Sequence, residues 1–294
     1  VALSAEERQR IRADWPAFYY LLDEPGLEAF FEKAIREGWG PGEFQSNLMA
    51  TPWWRTHSET ARNWDTIVAT DPAEARRQIS QRQIQLADEA RRLGLKLAGN
   101  QIGFLATVSL REGWDSSIIT RKLIEVGRAA GLAPSGEIRA NAQSLKALAK
   151  QYAVAVSQAT LTNWAMEMAQ GRMTEEGIRA QFVDMAKRRV DPRGENLQLQ
   201  RALDSGLTVR EAYQGVIETV ARELEMDPSG IDLTSGHWGK LLDFEDDKGV
   251  QRVMTQTEAL RWARSQGAWQ ETNTSREAYA GLANAMTAKW GLRK

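Results

Sequence analysis

Through most of the chain apolar residues recur at intervals of three and four, the spacing that lines one face of an α-helix, and the stretches between them carry helix start and stop residues. Ser4 with Glu7, Asp71-Pro72 with Glu74, Thr208 with Glu211, Thr255 with Glu258 and Thr274 with Glu277 each set a capping oxygen three residues ahead of a Glu. Each pair predicts a capping box or its Asp variant. Thr51-Pro52 adds a start with proline in the first helical position, where its missing N–H leaves no bond unmade. Helices are predicted over 5–14, 16–22, 26–37, 42–49, 52–68, 72–93, 99–112, 116–130, 136–153, 158–170, 175–190, 195–205, 209–225, 256–266 and 275–290. Four corners share one device: Gly38-Trp39, Gly113-Trp114, Gly171-Arg172-Met173-Thr174 and Gly206-Leu207-Thr208. In each, Gly makes the left-handed turn that ends a helix and the residue beyond it packs back on the last turn. The corners are unevenly spaced, so the pattern predicts an irregular array of helix-turn-helix corners and not a solenoid of fixed repeat.

The predicted helix 72–93 places Ile79, Leu86 and Leu93 seven apart, with Ala75 and Ala90 beside them and Arg or Gln over most of the remaining surface. At 1.5 Å per residue it is roughly 33 Å long. One narrow seam on a polar rod fits either a spine between two halves of this chain or a helix awaiting a partner chain. The strand signal lies near the end, where Lys240-Leu241-Leu242-Asp243-Phe244 and Val250-Gln251-Arg252-Val253-Met254 flank an acidic turn closing in Gly249. That arrangement predicts a β-hairpin near 241–254. The expected fold class is therefore mainly α with one small C-terminal β-hairpin. At 294 residues the chain reaches the size at which a single core stops growing. We divide it into an N-terminal helical domain, 1–133, containing the long helix 72–93, and a C-terminal helical domain, 134–294, containing the hairpin.

Composition narrows the chemistry. Eleven tryptophans stand beside two histidines and no cysteine, which favours large aromatic packing anchors and excludes disulfides and thiolate chemistry. His57 and His237 lack a second histidine or an i, i+4 partner, so both read as structural and no metal site is expected. The acidic run Asp243 to Asp247 does not have the Gly and bidentate Glu of a calcium loop in register, and Gly239-Lys240 continues into Leu241 where a phosphate loop needs Ser or Thr. No catalytic residue and no cofactor site is assigned; a lone carboxylate acting as acid, as in a muramidase, has 39 acidic candidates and no pair set apart by its surroundings. The 38 basic residues are interspersed with the acidic ones for a net charge of -1, which argues against binding nucleic acid through a basic stripe. The longest apolar stretch, 17–22, is far short of the roughly 20 residues of a membrane span, so a soluble protein is expected. The start at Val1, without a methionine or an export signal, suggests initiator removal or release from a longer chain. Trp53 and Trp54, followed by Arg55, Arg62 and Trp64, form either a core cluster with Ile67, Val68, Phe30 and Phe31 or a surface that stacks on a sugar or base.

Two stretches carry a resemblance. The first combines Glu37-Gly38-Trp39, Phe44-Gln45-Ser46-Asn47-Leu48, Thr51-Pro52-Trp53-Trp54-Arg55, Ser58, Ala61-Arg62, Trp64 and Thr70-Asp71-Pro72-Ala73. The second combines Gly206-Leu207-Thr208-Val209-Arg210, Tyr213, Leu224-Glu225, Asp227-Pro228, Ile231-Asp232, Trp238, Leu241-Leu242, Met254-Thr255, Gln270 and Thr272. Together they resemble helical virion proteins of tailed bacteriophages, above all of phages that infect actinobacteria, of the minor tail or tape-measure-associated kind. The chain departs from that pattern at Gln266-Gly267-Ala268-Trp269, where a turn bearing tyrosine or proline is expected. The resemblance implies a structural protein located in the virion, without catalysis, whose partners are other virion proteins and copies of itself. The candidate contact residues are Trp53, Trp54 and Arg55 and the seam Ile79, Leu86 and Leu93. Two other expectations stand beside it: a virion-delivered enzyme that cleaves peptidoglycan through a Glu not yet identified, and a host-directed binding module.

Overall fold

The computed structural model describes residues 3–24, 26–194, 196–246 and 249–289. Val1, Glu195 at the start of the predicted helix 195–205, Asp247 and Lys248 of the acidic turn, and residue 290 lie outside the described residues. The protein is mainly α, with one small two-stranded antiparallel sheet near the C terminus, and it divides into two compact units, Val1–Glu137 and Ile138–Lys294. Among the described residues no helix is long and apolar enough to cross a membrane.

The N-terminal unit contains α1 (Ala5–Asp14), a 3-10 turn (Pro16–Asp23), α2 (Glu28–Glu37), α3 (Pro41–Met49), α4 (Pro52–Thr56), α5 (Glu59–Thr70), α6 (Pro72–Leu93), α7 (Gly99–Glu112) and α8 (Ser116–Ala129). Its aromatic core forms around Phe44, which stacks on Trp15 at 4.5 Å and lies against Phe30 and Phe31. Trp53 is buried in the same cluster, whereas Val68, predicted to join it, is 44% exposed. Asp71 both ends α5 and starts α6: its N–H donates to the Ile67 carbonyl and its carboxylate accepts from the Glu74 N–H at 2.9 Å. At the far end of α6, Gly94 has φ +78 and leaves no room for a side chain, since a Cβ there would meet the Ser135 carbonyl carbon at 1.9 Å.

The division between units falls within α9 (Gly136–Gln151). The C-terminal unit continues with α10 (Gln158–Ala169), α11 (Glu175–Val190), α12 (Leu197–Asp204), α13 (Val209–Ala212) and α14 (Gln214–Glu223). Two short 3-10 turns precede β1 (Phe244–Glu245) and β2 (Gln251–Arg252), and α15 (Gln256–Ser265), a 3-10 turn (Gly267–Glu271) and α16 (Asn273–Lys289) close the unit. The hairpin is shorter than the predicted strands because residues 238–241 are drawn into a 3-10 turn.

The four predicted corners all close in the same way. Gly38, Gly113, Gly171 and Gly206 have positive φ, and the next residue's N–H reaches back to the carbonyl five residues earlier at 2.9–3.1 Å. Two corners also share a side-chain lock, in which the Trp39 indole donates to Glu37 at 3.0 Å and the Trp114 indole to Glu112 at 2.6 Å. The chain repeats this backbone bond at Ala153 (φ 56) and Glu225 (φ 50), where no glycine marks it.

The predicted helix 16–22 is a 3-10 helix, Pro16–Asp23, and three more predicted elements differ from the structure. The single helix 52–68 is broken at His57-Ser58, because Ser58 is extended and its hydroxyl caps α5 through the Ala61 N–H at 3.1 Å. The single helix 209–225 is broken at Tyr213, whose φ of -114 leaves the helical range while its hydroxyl accepts from Asn196 Nδ2 at 2.7 Å. Thr274 does not form a capping box with Glu277. Its hydroxyl and its N–H both donate to Glu225, and Thr272 caps α16 instead by accepting from the Ser275 N–H at 3.0 Å.

Candidate functional site

The residues singled out from sequence fall into two places in the N-terminal unit. At the α4–α5 elbow, Trp53 is buried and stacks on His57 with ring centroids 4.7 Å apart. Trp54 is half-buried under the Arg62 guanidinium, whose carbon lies 3.8 Å from the ring centre. Arg62 also donates to the Trp54 carbonyl at 3.0 Å and to the His57 carbonyl, two acceptors left over where α4 ends. The rings of this cluster are thus engaged within the unit, and Arg55 is the member left exposed.

The α6 seam is likewise occupied. Leu86 and Leu93 are buried, Ile79 is half-buried, and α6 packs along α5, α7 and α8. Beside the seam, Thr120 of α8 donates to Glu89 at 2.8 Å, and Glu89 in turn holds Arg92. The exposed large apolar residues of α6 and α7 are Ile84, 65% exposed, and Phe104, 68% exposed. Both sit next to the crossing where Gln83 of α6 covers Gly103 of α7.

In the C-terminal unit α16 is an uncovered helix. Every residue from Arg276 to Met286 is exposed, including Tyr279, Leu282 and Met286, whose spacing of three and four puts them on one face. Residues 278–287 carry no charged side chain. A helix without a charged face is ordinarily covered, because a solvent-facing helix needs a polar stripe to offset its apolar one. Among the described residues, the side-chain bonds and the ring contact that tie α16 to the rest of the unit lie at its base. Glu225 accepts from the Thr274 N–H at 2.8 Å, and the Tyr279 ring touches Trp269 at 5.9 Å. Trp269 in turn donates to Glu223, a buried carboxylate that also holds Arg264 at 2.7 Å.

The same unit contains a cavity of about 600 Å³ between the end of α11, the α13–α14 break and the stretch Val250–Gln256. Val190, Val216, Val253 and Met254 supply its apolar lining, and Gln198, Gln251 and Gln256 are exposed amides among its lining residues. Of the charged residues in its wall, Arg193 is exposed, while Asp191 and Arg252 are engaged within the protein. Asp191 accepts from the Asn196 N–H and Gln200 Nε2, while Arg252 pairs with Glu258 at 2.6 Å and Asp246 at 3.4 Å. With Arg252 and the Thr255 N–H beside it, the Glu258 carboxyl is held down at about 2.

Neither α16 nor this cavity was singled out from sequence. The signal for α16 was legible as ten consecutive uncharged residues in a helix. The cavity gathers three segments far apart in the chain and has no such local signal. No protein-family model, curated protein or solved structure matches the chain.

Proposed function

We propose that this protein is a structural component of a tailed-bacteriophage particle, working by packing against other virion proteins and against copies of itself. The observation that carries this reading is the exposed helix α16, uncharged over residues 278–287, with Tyr279, Leu282 and Met286 41–57% exposed on one face. An apolar helix face left in water is a cost that a partner removes, at about 25 cal/mol for each Å² covered. The exposed pair Ile84 and Phe104 of the N-terminal unit adds a second apolar patch of the same kind. The phage context rests on the resemblance of the 37–73 and 206–272 stretches to virion proteins.

Quantitative peptide mass spectrometry on purified particles of the phage that encodes the chain, with the major capsid protein as internal count, tests the assignment. Recovery at a fixed copy number per particle is the expected result. Clean particles that contain none of the protein would remove the virion role.

A further inference from the structure

The cavity of the C-terminal unit lies along a free sheet edge. In the hairpin, the Asp246 N–H donates to the Val250 carbonyl at 3.0 Å, and the register pairs Phe244 with Arg252 and Glu245 with Gln251. Bonded and non-bonded pairs alternate in an antiparallel ladder, so Val250 and Arg252 turn their backbone groups toward β1. Gln251 and Val253 therefore turn theirs the other way. The Val253 carbonyl accepts from Arg252 Nη1 at 3.1 Å, and the Met254 N–H turns back to the Leu241 carbonyl at 2.9 Å. The Gln251 N–H, the Gln251 carbonyl and the Val253 N–H make no hydrogen bond among the described residues.

The position of the cavity follows from which residues line it. Side chains of an extended segment alternate between two faces, so a cavity over one face touches every second residue. This one is lined by every residue from Val250 to Gln256 and by neither residue of β1. It therefore runs along the edge of β2 away from β1, where the unpaired groups of Gln251 and Val253 point.

We propose that this groove binds an extended, predominantly apolar peptide segment of a partner protein as a third strand against β2. The ligand's backbone would pair with the Gln251 N–H and carbonyl and with the Val253 N–H. Exposed edge groups of this kind are the template for strand addition. The volume of about 600 Å³ suits a few residues of extended chain. Alternate apolar side chains of that peptide would meet Val190, Val216 and Met254, while the glutamine amides favour neutral polar groups at the other positions. Asp191 and Arg252 are already bound within the protein, and Arg193, exposed in the same wall, disfavours a basic side chain in the ligand. This site is separate from α16 and does not rest on the virion role, so either can fail without the other.

The test uses the full chain and a capped pentapeptide alternating valine and threonine, followed by amide NMR and hydrogen exchange. Saturable binding with protection centred on the Gln251 and Val253 amides is expected. The same peptide N-methylated at alternate positions, which cannot pair with an edge, should bind at least tenfold more weakly. Gln251→Ala keeps the backbone and should bind as the parent does. Gln251→Pro removes only an outward N–H, at an edge position that tolerates proline, and should lose binding with an unchanged thermal unfolding curve. Equal binding of the N-methylated peptide, or no perturbation at Gln251 and Val253 with millimolar peptide, would overturn the proposal, whether or not the proline variant folds.

Discussion

Ala153 occupies a position that glycine fills elsewhere in this chain. It ends α9 with φ 56, and the Val154 N–H closes the corner on the Ala149 carbonyl at 2.9 Å, the same bond that follows Gly38 and Gly113. An L-residue in that conformation is strained by about 1–2 kcal/mol, and glycine relieves the strain at some cost in unfolded-chain entropy. Ala153→Gly should therefore raise stability by about 0.5–1 kcal/mol in denaturant unfolding; a loss would mean that the Ala153 methyl, fully buried, contributes more by packing than the strain takes away. Glycine corners were legible in the sequence because the residue type itself reports the backbone. Ala153 and Glu225 were not, because their strain is imposed by the packing around them. Asp232 gives a second residue-scale prediction. Burial pushes its carboxyl up, but the Lys150 ammonium at 2.7 Å and the hydroxyl and N–H of Thr234 outweigh this and hold it at about 2. A carboxyl held below its unfolded value of about 3.9 contributes stability above that pH and loses it as the pH falls toward 2. Asp232→Asn should therefore be less stable than the parent at pH 7, with the difference shrinking between pH 4 and 2. A difference that does not change with pH would show that this ion pair is not its source.

Elements in this protein start where a side chain can cap them, even inside a run that reads as one helix. The stretch 52–68 has helical periodicity throughout, yet Ser58 takes the Ala61 N–H and separates α4 from α5. Hydrophobic spacing does not register this break, because the apolar positions on either side remain nearly in phase. The freed carbonyls at Trp54 and His57 are collected by Arg62, which also lies flat over the Trp54 ring. Both bonds come from one guanidinium nitrogen, Nη1, placed by the plane that lies on the Trp54 ring; Arg62→Lys keeps the charge but has no planar face, so it loses the stack and with it the placement of the donor. Thermal and denaturant unfolding should show a loss of about 1–2 kcal/mol, combining the stacking and one hydrogen bond. Unchanged stability would mean that the elbow is held by Trp53 and the Ser58 cap alone. The hairpin shows the opposite kind of miss: its antiparallel pairing was read correctly, while its length was not, since the 3-10 turn at Trp238–Leu241 takes residues that the apolar pattern assigned to a strand.

At the scale of the molecule, the helical class follows from periodicity and caps, whereas exposure depends on which helices end up next to one another and no single segment encodes it. The seam Ile79, Leu86 and Leu93, which read either as a spine within the chain or as a surface for a partner, is packed within the N-terminal unit; α16, an ordinary terminal helix in the sequence, is exposed from Arg276 to Met286. The difference is that α6 has α5, α7 and α8 beside it, while α16 meets the turn Gly267–Glu271 and Glu225 at its base. That asymmetry separates stability from association. Leu282 is 57% exposed, so a glutamate there displaces no core contact and meets water in the isolated protein. Surface changes of this sort shift stability by no more than about 0.5 kcal/mol. If the apolar face of α16 is what a partner or a second copy covers, the same glutamate puts a charge at the centre of that contact, which must then be desolvated without a partner of its own. Leu282→Glu should therefore leave the unfolding curve of the isolated chain in place while abolishing its association, measured by sedimentation at increasing concentration and by incorporation into particles. Association that survives the glutamate would move the contact away from α16 and leave the Ile84 and Phe104 patch of the N-terminal unit as the surface to alter next.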